Sequence, residues 1–261
     1  MSDLAAKYGP TALIAGGSEG VGAEYARQLA EKGLDLVLVA RTAAKLEALQ
    51  TKLAAEFPER QIDTIAADLI EPDTPAMLAD RLADREIGLL IYNAGSNWKN
   101  GDFLDIPLDH AEALTALNVT TPTSLTHHFG GLMRERRRGG IIIASSLAYL
   151  VGSPQIAVYS AAKAYSTTLA EALWFELKPY GVDVLSHAFG AVDTPFIERT
   201  FPEAYGRGAK PTDVAARSLA ALGNGPLLRE EPGDTFAQHL ASLPRGQAVE
   251  AMAAAGKNYH D

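Results

Sequence analysis

Thr11-Ala-Leu-Ile-Ala-Gly-Gly-Ser-Glu-Gly-Val-Gly22 runs from a short apolar stretch into a cluster of glycines and out into a segment with helical spacing. Val21, Tyr25 and Leu29 recur every four residues, and Gly33 closes the series. A short apolar run, a glycine turn and an amphipathic run predict a strand, a tight turn and a helix. Glycines at 16, 20 and 22 let the backbone turn sharply, approach a pyrophosphate and seat the helix on the sheet. The helix N-terminus then turns unpaired N–H groups and the positive end of its dipole towards phosphate oxygens. Gly16, Ser18, Glu19, Gly20, Val21 and Gly22 are therefore candidate cofactor contacts. The spacing is Gly-x-x-x-Gly-x-Gly rather than Gly-x-Gly-x-x-Gly, and a glycine-rich turn without a ligand is the alternative.

The same alternation extends in both directions along the chain. Leu36–Ala40 is continuously apolar, as in a strand buried on both faces. A helix is predicted over 42–56, a strand over 61–67, a helix over 72–84 and a strand over 87–92. A helix over 107–134, the strand 141–144, a helix over 155–178 and a strand over 182–188 continue the pattern. Residues 212–222 read as helix, a seventh strand falls near Leu227-Leu228, and 230–261 resolve only into short helical stretches. Strands alternating with helices imply right-handed crossovers and a parallel, doubly wound α/β sheet with helices on both faces.

Composition narrows the function. The 261 residues are 47% hydrophobic and 21% charged, enough for a sizeable core in one domain. The absence of cysteine excludes disulfides, thiolate metal sites and a cysteine nucleophile. A net charge of −9 weighs against nucleic acid as a partner. The basic run Arg134–Arg138 sits at a predicted helix C-terminus, where cations complement the dipole. No apolar run nears the ~18 residues needed to cross a bilayer. Met1-Ser2-Asp3-Leu4 lacks the basic-then-apolar start of a secretory signal. No membrane partner and a cytoplasmic location are the expectation. The six histidines show no metal-binding spacing, so no metal is expected.

The end of the second predicted strand bears on the dinucleotide. An NAD site places a carboxylate there for the ribose 2′-hydroxyl, whereas this chain reads Ala40-Arg41-Thr42, with Asp35 at the far end. The guanidinium of Arg41 suits a 2′-phosphate, so NADP(H) is expected over NAD(H).

Tyr159 and Lys163 lie four residues apart at the start of the long predicted helix, on one face. Ser146 lies just beyond the 141–144 strand, at the end where ligands bind in open parallel sheets. An ammonium at ~4 Å and an effective dielectric of ~20 is worth about 4 kcal/mol, roughly three pKa units. That would draw a phenol from ~10 towards ~7, where a general acid/base works best.

Together these motifs resemble the short-chain dehydrogenase/reductase family, in its single-domain branch, over about residues 9–225. The resemblance implies a Rossmann-like sheet of about seven strands in the order 3-2-1-4-5-6-7. It implies a catalytic tetrad of Asn118, Ser146, Tyr159 and Lys163, with Lys163 also holding the nicotinamide ribose. Asp68-Leu69 looks like the adenine-contacting pair, and Asn93-Ala94-Gly95 matches the motif after the fourth strand, with Tyr92 in place of its first asparagine. Thr194 is retained near the nicotinamide amide, but Phe189 stands where the family has proline, and Ala15 where it has threonine. A homodimer or homotetramer built on the two long helices is also implied.

Residues 96–106, 147–155 and 190–210 are expected to border the substrate, with 190–210 as a lid and 226–261 of undefined structure. Their aromatic and aliphatic side chains favour a largely apolar carbonyl or alcohol, while Arg199, Arg207 and Lys210 leave an anionic thioester open. The reaction expected is hydride transfer between NADP(H) and a ketone or secondary alcohol, with tyrosine as general acid/base. The alternatives are a 3-oxoacyl-thioester reductase and a non-catalytic NADP(H)-binding sensor or scaffold.

Overall fold

Helix α1 (Asp3–Tyr8) leads into β1 (Thr11–Ala15), and α2 (Gly20–Glu31), β2 (Asp35–Ala40), α3 (Ala43–Glu56), β3 (Ile62–Ala66), α4 (Thr74–Arg81) and β4 (Ile87–Tyr92) follow in alternation. This is a computed structural model that describes residues 3–230 and 232–257. The second half carries α5 (Leu108–Thr115), α6 (Thr121–Arg136), β5 (Gly139–Ser146), α7 (Ala157–Leu177) and β6 (Val182–Phe189). It ends with α8 (Pro195–Thr200), α9 (Pro211–Ala221), β7 (Leu227–Leu228), α10 (Gly233–Ser242) and α11 (Arg245–Lys257). The seven strands form one sheet in the order β3-β2-β1-β4-β5-β6-β7, every pairing parallel.

Side chains on a strand alternate between faces, so a strand buried on both sides must be apolar throughout. Ala12, Ile14, Leu36, Leu38 and Leu89 join α2 through Tyr25 and Leu29 in one core. Leu13, Val37, Val39 and Leu90 join Leu125, Phe129 and Met133 of α6 in the other. Each fully buried leucine or isoleucine contributes ~1.5–3 kcal/mol, so both layers fix the strand register. A buried polar chain links the first layer: the Tyr25 hydroxyl lies 2.5 Å from Ser218 Oγ, and Ser218 Oγ lies 2.5 Å from His187 Nδ1. Burial drives the His187 pKa down to about 4, so the imidazole is neutral. Ser218 has no exposed surface, so this serine–histidine pair braces α2, α9 and β6.

The structure differs from the sequence reading in three places. Helix α1, not anticipated, is pinned by the Tyr8 hydroxyl to Asp183 Oδ2 at 2.7 Å. The stretch 107–134 is helical as read but not regular: a five-residue π-helical segment, Ala116–Thr120, lies between α5 and α6. Pro122 is the physical reason, because its ring clashes with the carbonyl four residues back and it carries no N–H. The C-terminal segment, left undefined by the sequence, forms α10 and α11. Leu240, Ala248 and Met252 of these helices pack on Val151, just beyond β5.

Candidate active site

The C-terminal ends of β1, β4, β5 and β6 bring the site residues to one edge of the sheet. After β1 the chain turns at Gly16 with φ +83°, and the N–H groups of Gly16 and Gly17 both donate to Val39 O. A Cβ on Gly22 would lie 1.9 Å from Gly16 O, so only glycine lets α2 start this close to the turn. Asn93 braces the turn from β4 through Nδ2 to Gly16 O at 3.0 Å. Asn93 and Ala94 also donate their backbone N–H groups to Ala15 O. No side chain caps the N-terminus of α2, which leaves its N–H groups available to phosphate oxygens. Val21 and Gly22 are buried, whereas Ser18, Glu19 and Gly20 are partly open.

Arg41 stands exposed at the end of β2, and Asp35 at the opposite end takes the Gln61 N–H. Asp68 is partly buried, its Oδ1 accepting from the Ile70 N–H at 3.2 Å. The neighbouring Leu69 is buried and its carbonyl accepts from Thr121 Oγ1 at 2.6 Å. Thr194 caps α8, its Oγ1 accepting from the Ile197 N–H at 3.2 Å, and its methyl lies against Gly20. The segment 190–210 is closed at its base by a bridge between Val192 and Ala209. Asp193 Oδ1 accepts from both Gly206 and Gly208 N–H there.

Ser146 is the last residue of β5 and caps the short 3-10 turn Leu147–Tyr149 that follows. Its hydroxyl hydrogen-bonds Tyr159 in the first turn of α7. Lys163, one turn on, is 3% exposed; its Nζ donates to Ala144 O at 2.9 Å and lies 5.4 Å from the Tyr159 ring centroid. Asn118, in the π segment, is 2% exposed, donates through Nδ2 to Leu114 O at 3.0 Å, and leaves Oδ1 without a hydrogen-bond partner. Gly95, at φ +146°, faces both: a Cβ there would meet Asn118 Oδ1 at 2.5 Å and Lys163 Nζ at 2.8 Å. A bare backbone, an orphaned amide oxygen and the lysine Nζ therefore converge on one point, a polar set of the kind that ribose hydroxyls bond.

The electrostatics reverse one expectation. Burial pushes the Tyr159 pKa up, and the Ser146 hydrogen bond recovers only part of that shift. Burial also pulls Lys163 down to about 8. Desolvation of the phenolate, rather than the lysine field that the sequence argument put first, sets the direction, so the tyrosine is held in its protonated form.

The sequence reading missed one cation, Lys45, and the partner of another, Arg199. Glu19 Oε2 lies 2.7 Å from Lys45 Nζ, and its Oε1 lies 2.6 Å from Arg199 Nη2. Burial opposes ionisation of Glu19, yet the two cations hold its pKa below the usual range. Arg199, which the sequence left open to an anionic substrate, is thus engaged with the glycine turn. Lys45 lies in the first turn of α3, close in sequence to Arg41. Of the departures noted above, Tyr92 donates its hydroxyl to Leu117 O at 2.6 Å. Phe189 packs on the core, with its ring 5.1 Å from His187. Among the described residues no group of three or more His, Asp or Glu side chains is arranged to hold a metal, and no helix is long and apolar enough to cross a membrane.

Comparison with known proteins finds relatives over most of the chain. The family model for short chain dehydrogenases matches residues 10–204. A 7beta-hydroxysteroid dehydrogenase of Clostridium sardiniense is 31% identical over 220 residues, covering 83% of this chain and 84% of that protein. A very-long-chain 3-oxoacyl-CoA reductase-like protein of Arabidopsis thaliana is 31% identical over 217 residues, covering 78% of this chain and 70% of that protein. Among solved structures, one concerning 7beta-hydroxysteroid dehydrogenase stereoselectivity superposes with a TM-score of 0.87 at 26% identity, covering 97% of this chain and 99% of that one. A short-chain dehydrogenase from Sphingobium yanoikuyae in complex with NADPH superposes with a TM-score of 0.76 at 31% identity, covering 81% and 84% of the two chains.

Proposed function

The chain belongs to the short-chain dehydrogenase family and is an oxidoreductase, and from that premise we propose that it transfers hydride reversibly between NADP(H) and a bulky, largely apolar ketone or secondary alcohol. The observation that carries the reading is the convergence of the Ser146–Tyr159 hydroxyl pair with Lys163 and the unpartnered Asn118 Oδ1. A merely structural cluster would satisfy that oxygen internally.

The glycine turn and the α2 N-terminus would hold the pyrophosphate, Arg41 the 2′-phosphate and Lys163 the ribose. When bound, NADPH supplies the hydride that reaches the carbonyl carbon. Ser146 holds the carbonyl oxygen by hydrogen bonding, and Tyr159 gives that oxygen its proton. A phenol kept protonated by burial is the correct form for a donor. Lys163, still protonated at neutral pH, stabilises the phenolate left behind. Asn118 Oδ1 offers an acceptor beside Lys163 through which the proton can be restored.

Substrate character rests on Trp98, Phe103, Tyr149 and Phe196 in the short segments that follow β4, β5 and β6. The steroid-acting relative favours a bulky ketone. The thioester alternative draws on the acyl-CoA reductase relative, but the engagement of Arg199 with Glu19 removes one cation that would attract it.

The test is the absorbance of NADPH and NADH with a panel of steroid, aryl and 3-oxoacyl substrates. Tyr159→Phe should lower turnover by roughly 10³-fold. Arg41→Ala should raise the KM for NADPH by about tenfold and leave that for NADH unchanged. Equal turnover by wild type and Tyr159→Phe overturns the tyrosine assignment. NADPH binding without turnover of any substrate would support the sensor reading instead.

A further inference from the structure

Pro122 leaves part of the helix backbone around Asn118 without its regular partners. The Thr121 N–H, which in an α-helix would serve Leu117 O, reaches back instead to Ala116 O. The next N–H in line belongs to residue 122, and proline has none. Leu117 O is therefore passed over by the helix ladder. Side chains make good the loss: the Tyr92 hydroxyl donates to Leu117 O at 2.6 Å, and Ser166 Oγ lies 3.2 Å from Asn118 O. Asn118 spends its own Nδ2 on Leu114 O at 3.0 Å, which leaves Oδ1 as the atom beside Gly95 and Lys163 Nζ.

Tyr92 is the last residue of β4, 2% exposed, and has no part in the chemistry proposed above. Burial drives its phenol pKa far above the usual value, so the hydroxyl remains a donor at any working pH. It is also a departure from the family pattern, which places asparagine there. We infer that Tyr92 is a positioning residue for Asn118: its hydroxyl pins Leu117 O, fixes the π segment 116–120, and thereby aims Asn118 Oδ1 at Lys163. The inference rests on the reading that Asn118 works with Lys163 during turnover.

Tyr92→Phe removes the hydroxyl and keeps the ring. It should lower kcat for NADPH-dependent ketone reduction by about tenfold. The Kd for NADPH, read by nicotinamide fluorescence, and the ketone KM should both stay within about twofold of wild type. In an Asn118→Ala background the same substitution should change kcat by less than about twofold, because the residue it aims is gone. Hydrogen–deuterium exchange over residues 116–121 should quicken in Tyr92→Phe, a readout independent of turnover. An unchanged kcat, an equal loss in both backgrounds, or unchanged exchange each overturns the inference. Asn118→Ala with wild-type turnover would sink the role of Asn118 itself, a separate and recognisable outcome.

Discussion

Lys163 is under opposing demands. Its site is nearly sealed from solvent, yet the chemistry wants it charged. Its folded pKa of about 8 lies below the unfolded value of 10.5, so the unfolded chain binds that proton more tightly. The stability associated with this group is therefore fully present above the unfolded pKa and is lost as pH falls through about 8. Some 2.5 units correspond to about 3 kcal/mol. Lys163→Met should thus raise stability at pH 7 by about 1–2 kcal/mol, after the lost bond to Ala144 O is set against it. Thermal melting should show the gain, while NADPH turnover should be abolished. A lower Tm would refute the argument. At this scale the proximity of Tyr159, Lys163 and Ser146 was legible, because residues four apart share a helical face and Ser146 falls at the end of its strand. The Glu19–Arg199 pair was not, since its partners lie 180 residues apart. The upward pKa of Tyr159 was not either, because desolvation is a property of the folded surroundings.

At the scale of elements, the run of buried strands and covering helices could be read from apolar periodicity alone. The break between α5 and α6 could not, because a proline four residues beyond Asn118 ends some helices and only bulges others; neighbouring donors decide which. The tail beyond β7 was opaque for a related reason. Helices α10 and α11 gain their partner only by folding back on the turn that follows Ser146. Arg229 holds that arrangement together, pairing with the Tyr149 hydroxyl and, at 2.7 Å through Nε, with Asp234 Oδ1. Leu147 packs under Gly233 in the same contact. Arg229→Met should loosen this wall. Steady-state kinetics should show the KM for a bulky ketone rising about tenfold with the NADPH Kd unchanged. A rise in both would place the effect elsewhere.

For the whole molecule, the pattern of exposed apolar residues matters most. Phe175 on α7 is 74% exposed, and Tyr165 on the same helix is 39% exposed. The C-terminal helices pack on Val151 and leave Phe175 uncovered. We expect this helix to meet a second copy of the chain, and Phe175→Glu should shift sedimentation equilibrium towards monomer at micromolar concentration, with the fold retained by circular dichroism. Identical sedimentation would remove α7 from the interface.

The shortness of β7 bears on the same question. The sheet ends beyond β6 on a strand of two residues, paired only at Ser186–Leu227 and His187–Leu228. A long, flat, unpaired margin is a template on which another chain can add its own backbone, and uncontrolled addition is how β-proteins aggregate. Here that margin offers almost nothing to pair with. Growth of the sheet from one molecule into the next is blocked on this side, which leaves contacts between helix surfaces, closed by symmetry, as the safer route to assembly.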